Sequence, residues 1–546
     1  MSARRHPMSA PAPVVGIPVA NQKRFNRADA LAFGLLTCLS VAAITTFTWT
    51  WFSAENWLSH QGPFLVLSFI VFFKIANSQA KWFTLPFMSV PKPMTPRTGL
   101  KVAVVTTIVP GAEPLEMLEE TVRALAALDY PHDTWVLDEG DDPDVRALCQ
   151  KNGAQHFSRR NLPHYQAASG TYKVRSKHGN YNAWLHAVGF ERYAIIAAFD
   201  PDHVPAPSFL THVLGHFEDS RVGFVQVAQA YYNQTASFIA RGAAEETYEY
   251  YSCTQMAAYG LGQPAVVGCH NTHRMEALKE VGGFAAHDAD DLLIALRYQA
   301  HGWRGVYVPQ ILARGLAPVD WNAYLTQQLR WARSVADITC RLRHLLGNDL
   351  SPMARGLKVV HGLFYLQNSI TAFISLMLLV YMVTSGNVPS VVSYAILPPL
   401  ALMCATLQLC VFYRQRFYLD PRSEKGIHWR AGLLRYAKWP VFILALWDVA
   451  VNRDVPYALT RKVRKESRAP LLLVPHLLVV TSVCAAFAAG HLVGRTLPSL
   501  LYWVAAVVVT VSLALIVTDW LHFPAPFDKM LLSRRYSGPA VLNDVK

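Results

Sequence analysis

The sequence predicts an α/β domain carried between helices that cross a membrane, and three observations carry that prediction. Of 546 residues, 52% are hydrophobic and only 16% charged, and the mean hydropathy is +0.19. This balance fits a multi-pass membrane protein with a folded soluble part. Short β-branched runs alternate with helical patterns from Gly99 to His344, as in α/β domains. Charge is also unevenly placed: Gly99–His344 holds 21 Lys and Arg against 26 Asp and Glu, whereas the flanks hold 29 basic and 11 acidic residues. The formal net charge of +13 therefore belongs to tails and loops beside apolar runs, and no nucleic acid is expected as a partner. Aromatic content of 12% excludes disorder as a description of the whole chain. The eight Cys are scattered, with no CxxC and no metal-ligand spacing, which excludes a disulfide framework.

Residues 1–30 are Pro-rich and basic and read as a cytoplasmic tail. Two spans follow within residues 31–83, Leu31–Phe52 and Pro63–Phe83, each long enough for ~30 Å of hydrocarbon. Ser53–Gly62 between them lacks Lys and Arg and reads as the outer loop, while Lys74 and Lys81 snorkel at the inner end of the second span. The soluble domain occupies residues 99–345, with strands at Lys101–Val109, Trp135–Asp138 and Ala194–Phe199 and a helix at Leu115–Leu128. Spans resume in residues 346–521 at Leu357–Thr384, Val388–Tyr413, Leu471–Val493 and Leu500–Leu521, and residues 522–546 form a second cytoplasmic tail. Leu433–Val451 is apolar enough to cross, but it carries Arg435, Lys438, Trp439 and Asp448, the pattern of an interfacial helix. Keeping it in the interface leaves the basic loop 452–469 inside and makes the total six spans.

Chemistry-bearing residues cluster at strand ends and helix starts. Asp200-Pro201-Asp202-His203 follows an apolar strand, where ligands of open α/β sheets gather; two carboxylates one residue apart suit a divalent metal and a diphosphate. Surface turns also contain this pattern. Asp138 closes another strand, where it either faces a ligand or opens a turn with Glu139. Asp288–Asp291 precedes the helix Leu292–His301. Capping at about 0.3–1 kcal/mol needs one acid, and the pair Asp290 and Asp291 leaves one for general-base work. Gln327, Arg330 and Trp331 share one helical face, which suits a phosphate beside a sugar ring or, more simply, a Trp at headgroup depth. Polar residues His361, Tyr365, Gln367, Asn368 and Ser369 inside a span fit a wet pathway or helix–helix hydrogen bonds.

Taken in order, these elements resemble the processive family 2 glycosyltransferases, within them the bacterial cellulose synthase catalytic subunit and related β-glycan synthases. The matching elements are Glu113-Pro114, Leu128-Asp129-Tyr130-Pro131, Asp138-Glu139-Gly140, Lys177-His178-Gly179-Asn180-Tyr181-Asn182, Asp200–His203, Val281-Gly282-Gly283-Phe284, Asp290-Asp291 and Gln327–Trp331. The resemblance implies a GT-A fold with a mixed, Rossmann-like sheet and inverting transfer from a UDP-sugar to a growing glycan acceptor. It implies that Glu113 and Asp138 contact the uridine end and that Lys177 lies near the nucleotide. Asp200 and Asp202 would work with Mg²⁺ or Mn²⁺, Asp291 beside Asp290 as base, Gln327 and Arg330 at the diphosphate, and Trp331 on the acceptor sugar. Tyr457-Ala458-Leu459-Thr460-Arg461-Lys462 looks like the family's gating loop, with Tyr457, Thr460 and Lys462 at its key positions.

Departures from the family are Asp-Glu-Gly for Asp-Asp-Gly, Ala289-Asp290-Asp291 for Thr-Glu-Asp, and Tyr457 and Leu459 for Phe and Val. Two spans rather than four precede the domain, and the final tail is too short for a cyclic-di-GMP-binding domain. His203 after the Asp pair is closer to cellulose synthases than to chitin or hyaluronan synthases, so UDP-glucose is the favoured donor. The resulting expectation is a β-glucan polymerase of the inner membrane with its catalytic domain in the cytoplasm, in contact with membrane lipids and an accessory export subunit. The alternatives are a membrane transferase adding one sugar to a lipid, or a chitin- or hyaluronan-type synthase.

Overall fold

A computed structural model describes residues 19–346, 352–453 and 470–520. Tyr457, Thr460 and Lys462 of the expected gating loop lie outside these residues, as do most of the first tail and all of the second.

Among the described residues six helices are long and apolar enough to cross a membrane: Arg27–Trp51, Gln61–Phe87, Tyr365–Ser385, Tyr394–Phe417, Leu471–Leu492 and Ser499–Thr518. The first starts before the expected Leu31 because Asn26 and Asp29 form a capping box. The Asp29 N–H donates to Asn26 Oδ1 at 2.9 Å, and the Asn26 N–H donates to Asp29 Oδ2 at 3.1 Å. The fourth span begins later than the expected Val388. Gly386, at φ +79°, closes the preceding helix in the left-handed region, and helix resumes only at Tyr394. Val388 to Ser393 is thus an apolar connection rather than part of the span.

The expected single interfacial helix Leu433–Val451 is two helices, Trp429–Ala437 and Trp439–Ala450, meeting at Lys438. Pro440 explains the break: it sits in the first turn of the second helix, where its missing N–H costs nothing. Twelve residues extend ~18 Å, well short of a ~30 Å hydrocarbon core.

A short antiparallel ribbon, β1 (Asn21–Lys23) with β2 (Ser89–Pro91), fastens the first helix to the chain leaving the second. The sheet of the α/β domain then runs β3 (Val102–Ile108), β4 (Asp133–Asp138), β5 (Gln155–Phe157), β6 (Ile195–Phe199), β7 (Val204–Pro205), β8 (Val222–Tyr231), β9 (Asn271–Arg274) and β10 (Arg304–Gly315). Their spatial order is β5-β4-β3-β6-β9-β8-β10-β7. Strands β5, β4, β3 and β6 are mutually parallel, β9 runs antiparallel between β6 and β8, and β10 returns parallel to β8. This mixed order is the GT-A-like arrangement. Parallel strands buried on both faces read as unbroken apolar runs, as in Val102–Val105 and Ile195–Phe199.

The sheet packs two apolar layers, one around Phe199, Phe209 and Tyr307, the other around Trp184, Phe224 and Tyr298. A third cluster joins Trp321, Tyr324 and Leu325 of the Trp321–Leu346 helix to Leu434, Phe442, Leu473 and Leu515, tying the domain to the interfacial and membrane helices. Ion pairs reinforce that junction from one helix, Phe238–Glu249. Glu245 pairs with Arg430 at 3.2 Å, Glu246 with Lys438 at 2.9 Å, and Glu249 with Arg414 at 2.6 Å and Lys81 at 3.4 Å.

Candidate active site

Register brings the first functional carboxylates to one edge of the sheet. Ile108 lies opposite Asp138 and Thr106 opposite Phe199, so the loops after β3, β4 and β6 leave the sheet together. Because β9 runs antiparallel with Asn271 opposite Ala198, the turn entering β9 arrives at the same edge. Ligand sites of α/β sheets form at this edge.

The Lys177–Trp184 helix carries the motif that follows. Ser176 caps it, accepting the Gly179 N–H at 3.1 Å. Asn180 Nδ2 donates to Leu137 O at 3.1 Å, and the Tyr181 hydroxyl lies 3.3 Å from both Val105 O and Phe199 O. Asn182 exchanges hydrogen bonds with the Phe284 backbone at 2.8 and 2.9 Å. Glycine is required at position 179, where a Cβ would lie 2.2 Å from Lys173 O. These residues lock strand ends to the Gly283-Phe284 turn; only Lys177 of the motif reaches the acidic cluster.

Lys177 Nζ donates to Asp200 Oδ1 at 2.6 Å. Burial disfavours the ammonium, but the carboxylates of Asp200 and Asp290 outweigh it and hold the amine well above its ordinary value. Asp202 is buried, accepts the Leu316 N–H at 3.3 Å and lies 3.3 Å from His203 Nδ1. Asp200, Asp202 and His203 place a ligand atom each within 4.8 Å of one another. Two carboxylates and an imidazole form an oxygen-rich donor set that fits Mg²⁺ or Mn²⁺.

Asp290 and Asp291 open the helix Asp290–Ala300, with Ala289 at the N-cap. Ala289 makes no side-chain cap bond, but both acids meet first-turn N–H groups of the helix: Asp290 Oδ1 accepts the Asp291 N–H at 3.0 Å and Asp291 Oδ1 the Leu292 N–H at 2.7 Å. Asp291 Oδ2 also accepts the Gly268 N–H at 2.6 Å, a bond from outside the helix, and the two bonds fix its direction. Enclosure by the protein raises both carboxyls above their ordinary range. For Asp290, the neighbouring charges of Asp291 and Asp200 push the same way, against Lys177. Asp200 does so for Asp291, against its two N–H bonds and Lys177. Lys177, Asp200, Asp290 and Asp291 therefore share one electrostatic neighbourhood.

Asp138 behaves differently. It is fully buried; its oxygens accept the Gly140 N–H at 2.8 Å and the Asp142 N–H at 2.6 Å, with His156 Nε2 at 3.1 Å. Its neighbour Glu139 forms a two-pronged pair with buried Arg159 at 2.8 and 3.0 Å. Glu113 accepts the Val109 N–H at 3.0 Å and closes the loop after β3. Gln327 and Arg330 are half-buried and Trp331 is 38% exposed on the Trp321–Leu346 helix. That helix is drawn to the acidic pair by Ile338, which packs with Ala289, Leu293 and Leu296, and by Asp337, 3.2 Å from His287. The adjacent Cys269 and His270 also meet His203 at the sheet edge. Nothing in their sequence spacing marks them, since 65 residues separate Cys269 from His203.

A family model described as glycosyltransferase like family 2 matches residues 103–334. The cellulose synthase catalytic subunit [UDP-forming] of Xanthomonas axonopodis pv. citri is 30% identical over 269 residues, covering 46% of this chain and 33% of that protein. The Pseudomonas fluorescens protein of the same name is 29% identical over 253 residues, covering 44% and 32%. The chain thus spans about a third of the length of the curated relatives it matches. Among solved structures, a mannosyltransferase from Pyrobaculum calidifontis in complex with GDP-Man and Mn²⁺ aligns with a TM-score of 0.46 and 14% identity, over 77% of this chain and 100% of that one.

Proposed function

We propose, from the match of residues 103–334 to the glycosyltransferase like family 2 model, that the chain polymerises a β-linked glucan from UDP-glucose and passes it across the inner membrane, with the matched domain on the cytoplasmic side. The observation that carries the reading is the convergence of Lys177, Asp200, Asp202, Asp290 and Asp291 at the carboxyl edge of the sheet.

In the proposed step, an acceptor hydroxyl oxygen forms a bond to the anomeric carbon from the face opposite the diphosphate. The bond from that carbon to the diphosphate oxygen breaks, and its electron pair leaves with UDP. The hydroxyl proton passes to Asp291, which the Gly268 and Leu292 N–H groups hold in place. Lys177 and Arg330 supply positive charge for the departing diphosphate, worth most where water is excluded. A divalent cation held by Asp200 and Asp202, when bound, neutralises charge on the diphosphate. Trp331 offers an exposed indole face for the acceptor sugar.

Export is supported by buried polar atoms without partners in the membrane part. Gln79 Oε1 and Nε2, Tyr365 Oη, Gln367 Oε1, Ser369 Oγ, Trp439 Nε1 and His476 Nδ1 are such atoms. They lie on helices that pack around Pro352–Ser385. Leaving them unmet in hydrocarbon is costly, and sugar hydroxyls would satisfy them in passing. Inverted membrane vesicles given radiolabelled UDP-glucose should make a long, EDTA-sensitive polymer, digested by a β-glucanase and retained in the lumen. Label found only as a single sugar on extractable lipid would replace this reading with a lipid transferase.

A further inference from the structure

We propose that Cys269, His270 and His203 form a buried site for a thiophilic transition-metal ion of the Zn²⁺ class beside the Asp200–Asp202 pair, His203 being the residue that the two donor sets share. All three residues are buried, at 1%, 0% and 3% exposure, and one ligand atom from each lies within 4.8 Å of the others. Cys269 Sγ is 3.1 Å from His270 Nδ1, and the rings of His270 and His203 are 5.2 Å apart between centroids. His270 Nε2 is a fully buried polar atom with no hydrogen-bond partner. Such an atom costs free energy unless something meets it.

The chain also bends to build this arrangement. His270 takes φ +46°, a left-handed conformation that an imidazole-bearing residue adopts at a cost. Gly315 presses so closely on His203 that an added Cβ would lie 2.1 Å from His203 Nε2. One thiolate and two imidazoles suit zinc, in contrast to the carboxylates alongside, which suit Mg²⁺ or Mn²⁺. Zn–S and Zn–N bonds of about 2.3 and 2.0–2.1 Å put neighbouring ligands roughly 3.4–3.6 Å apart, so ligand atoms that now lie within 4.8 Å of one another need to close by no more than about 1.4 Å. The ion would tie the loop after β6 to the turn entering β9. That turn includes Gly268, whose N–H holds Asp291, so the metal would act as a positioning element for the neighbouring carboxylate.

The test uses the full-length protein in detergent and does not depend on turnover. After EDTA washing sufficient to strip Mg²⁺ and Mn²⁺, elemental analysis should find zinc equimolar with protein. Exchange for Co²⁺ should give a thiolate-to-cobalt charge-transfer band with tetrahedral d–d bands. Cys269→Ser and His270→Asn should lose the band, while Cys149→Ser and Cys253→Ser keep it. A wild-type protein that holds no stoichiometric transition metal and develops no thiolate–cobalt band overturns the proposal, with no variant needed. A band that survives Cys269→Ser overturns it equally. Because these readouts do not involve the sugar donor, the metal site and the glucan reading stand or fall separately.

Discussion

Strands β4 and β6 flank β3 and end at the same edge of the sheet, β4 in Asp138 and β6 just before Asp200, yet the two carboxylates meet different partners. Asp138 is surrounded by its own turn: two backbone N–H groups and His156 take up its oxygens. Asp200 meets a lysine side chain instead, and its loop carries Asp202 and His203 into a cluster of ligand atoms. Equal topological position therefore does not mean equal role. A carboxylate captured by adjacent backbone amides shapes its own turn, whereas one that meets a lysine ammonium sits where a phosphate or metal would come.

The most damaging variant should lie on the β6 side. Asp291→Asn removes the proton acceptor and should lower kcat about 10²–10⁴-fold, while UDP affinity by isothermal titration stays within error. Near-normal turnover of Asp291→Asn combined with a dead Asp290→Asn would exchange the roles of the pair. On the β4 side, Asp138→Asn leaves one acceptor for two N–H groups and should cost about 1–3 kcal/mol of stability. That cost should appear as a lower Tm, with the KM for donor unchanged. A raised KM at an unchanged Tm would put Asp138 on the nucleotide and erase the contrast between the two strands.

The smallest effect concerns pH. Burial and like charge raise the carboxyls of Asp290 and Asp291, so the acid limb of kcat should lie above the ordinary carboxylate range of ~4. Removing the neighbouring charge in Asp290→Asn lowers the pKa of Asp291, so the limb should move to lower pH by less than about one unit. A limb that moves upward would mean that Asp290 helps to keep Asp291 ionised.

Much of this was legible in the sequence because the signals are local. Apolar runs of 20 or so residues mark spans, β-branched runs mark buried strands, and Asp200-Pro201-Asp202 announces itself by spacing. Boundaries failed where one residue overrides a hydropathy average, as Pro440 does inside Leu433–Val451 and Gly386 does before Val388. The Lys177–Asn182 motif was readable as a unit but not as a division of labour. Which of its residues reach the site depends on carbonyls of β3, β4 and β6 that only the folded sheet brings near. Cys269 and His270 carried no signal, since their neighbour His203 comes from a distant strand end. The cations from outside the domain that meet Glu245, Glu246 and Glu249 were equally hidden, lying more than 160 residues away in all three cases.

That last row of acids bears on how this protein can be handled. The cations Lys81, Arg414, Arg430 and Lys438 all come from outside residues 99–345, yet the carboxylates they neutralise are inside. A truncated domain cut at its apparent borders would keep three closely spaced negative charges and lose every one of these counterions. The same cut would lay bare the apolar face that Leu434 and Phe442 cover. Expression as a free-standing soluble fragment is therefore a poor route to material, and detergent or nanodisc preparations that retain the interfacial helices are the form in which the catalytic unit is complete.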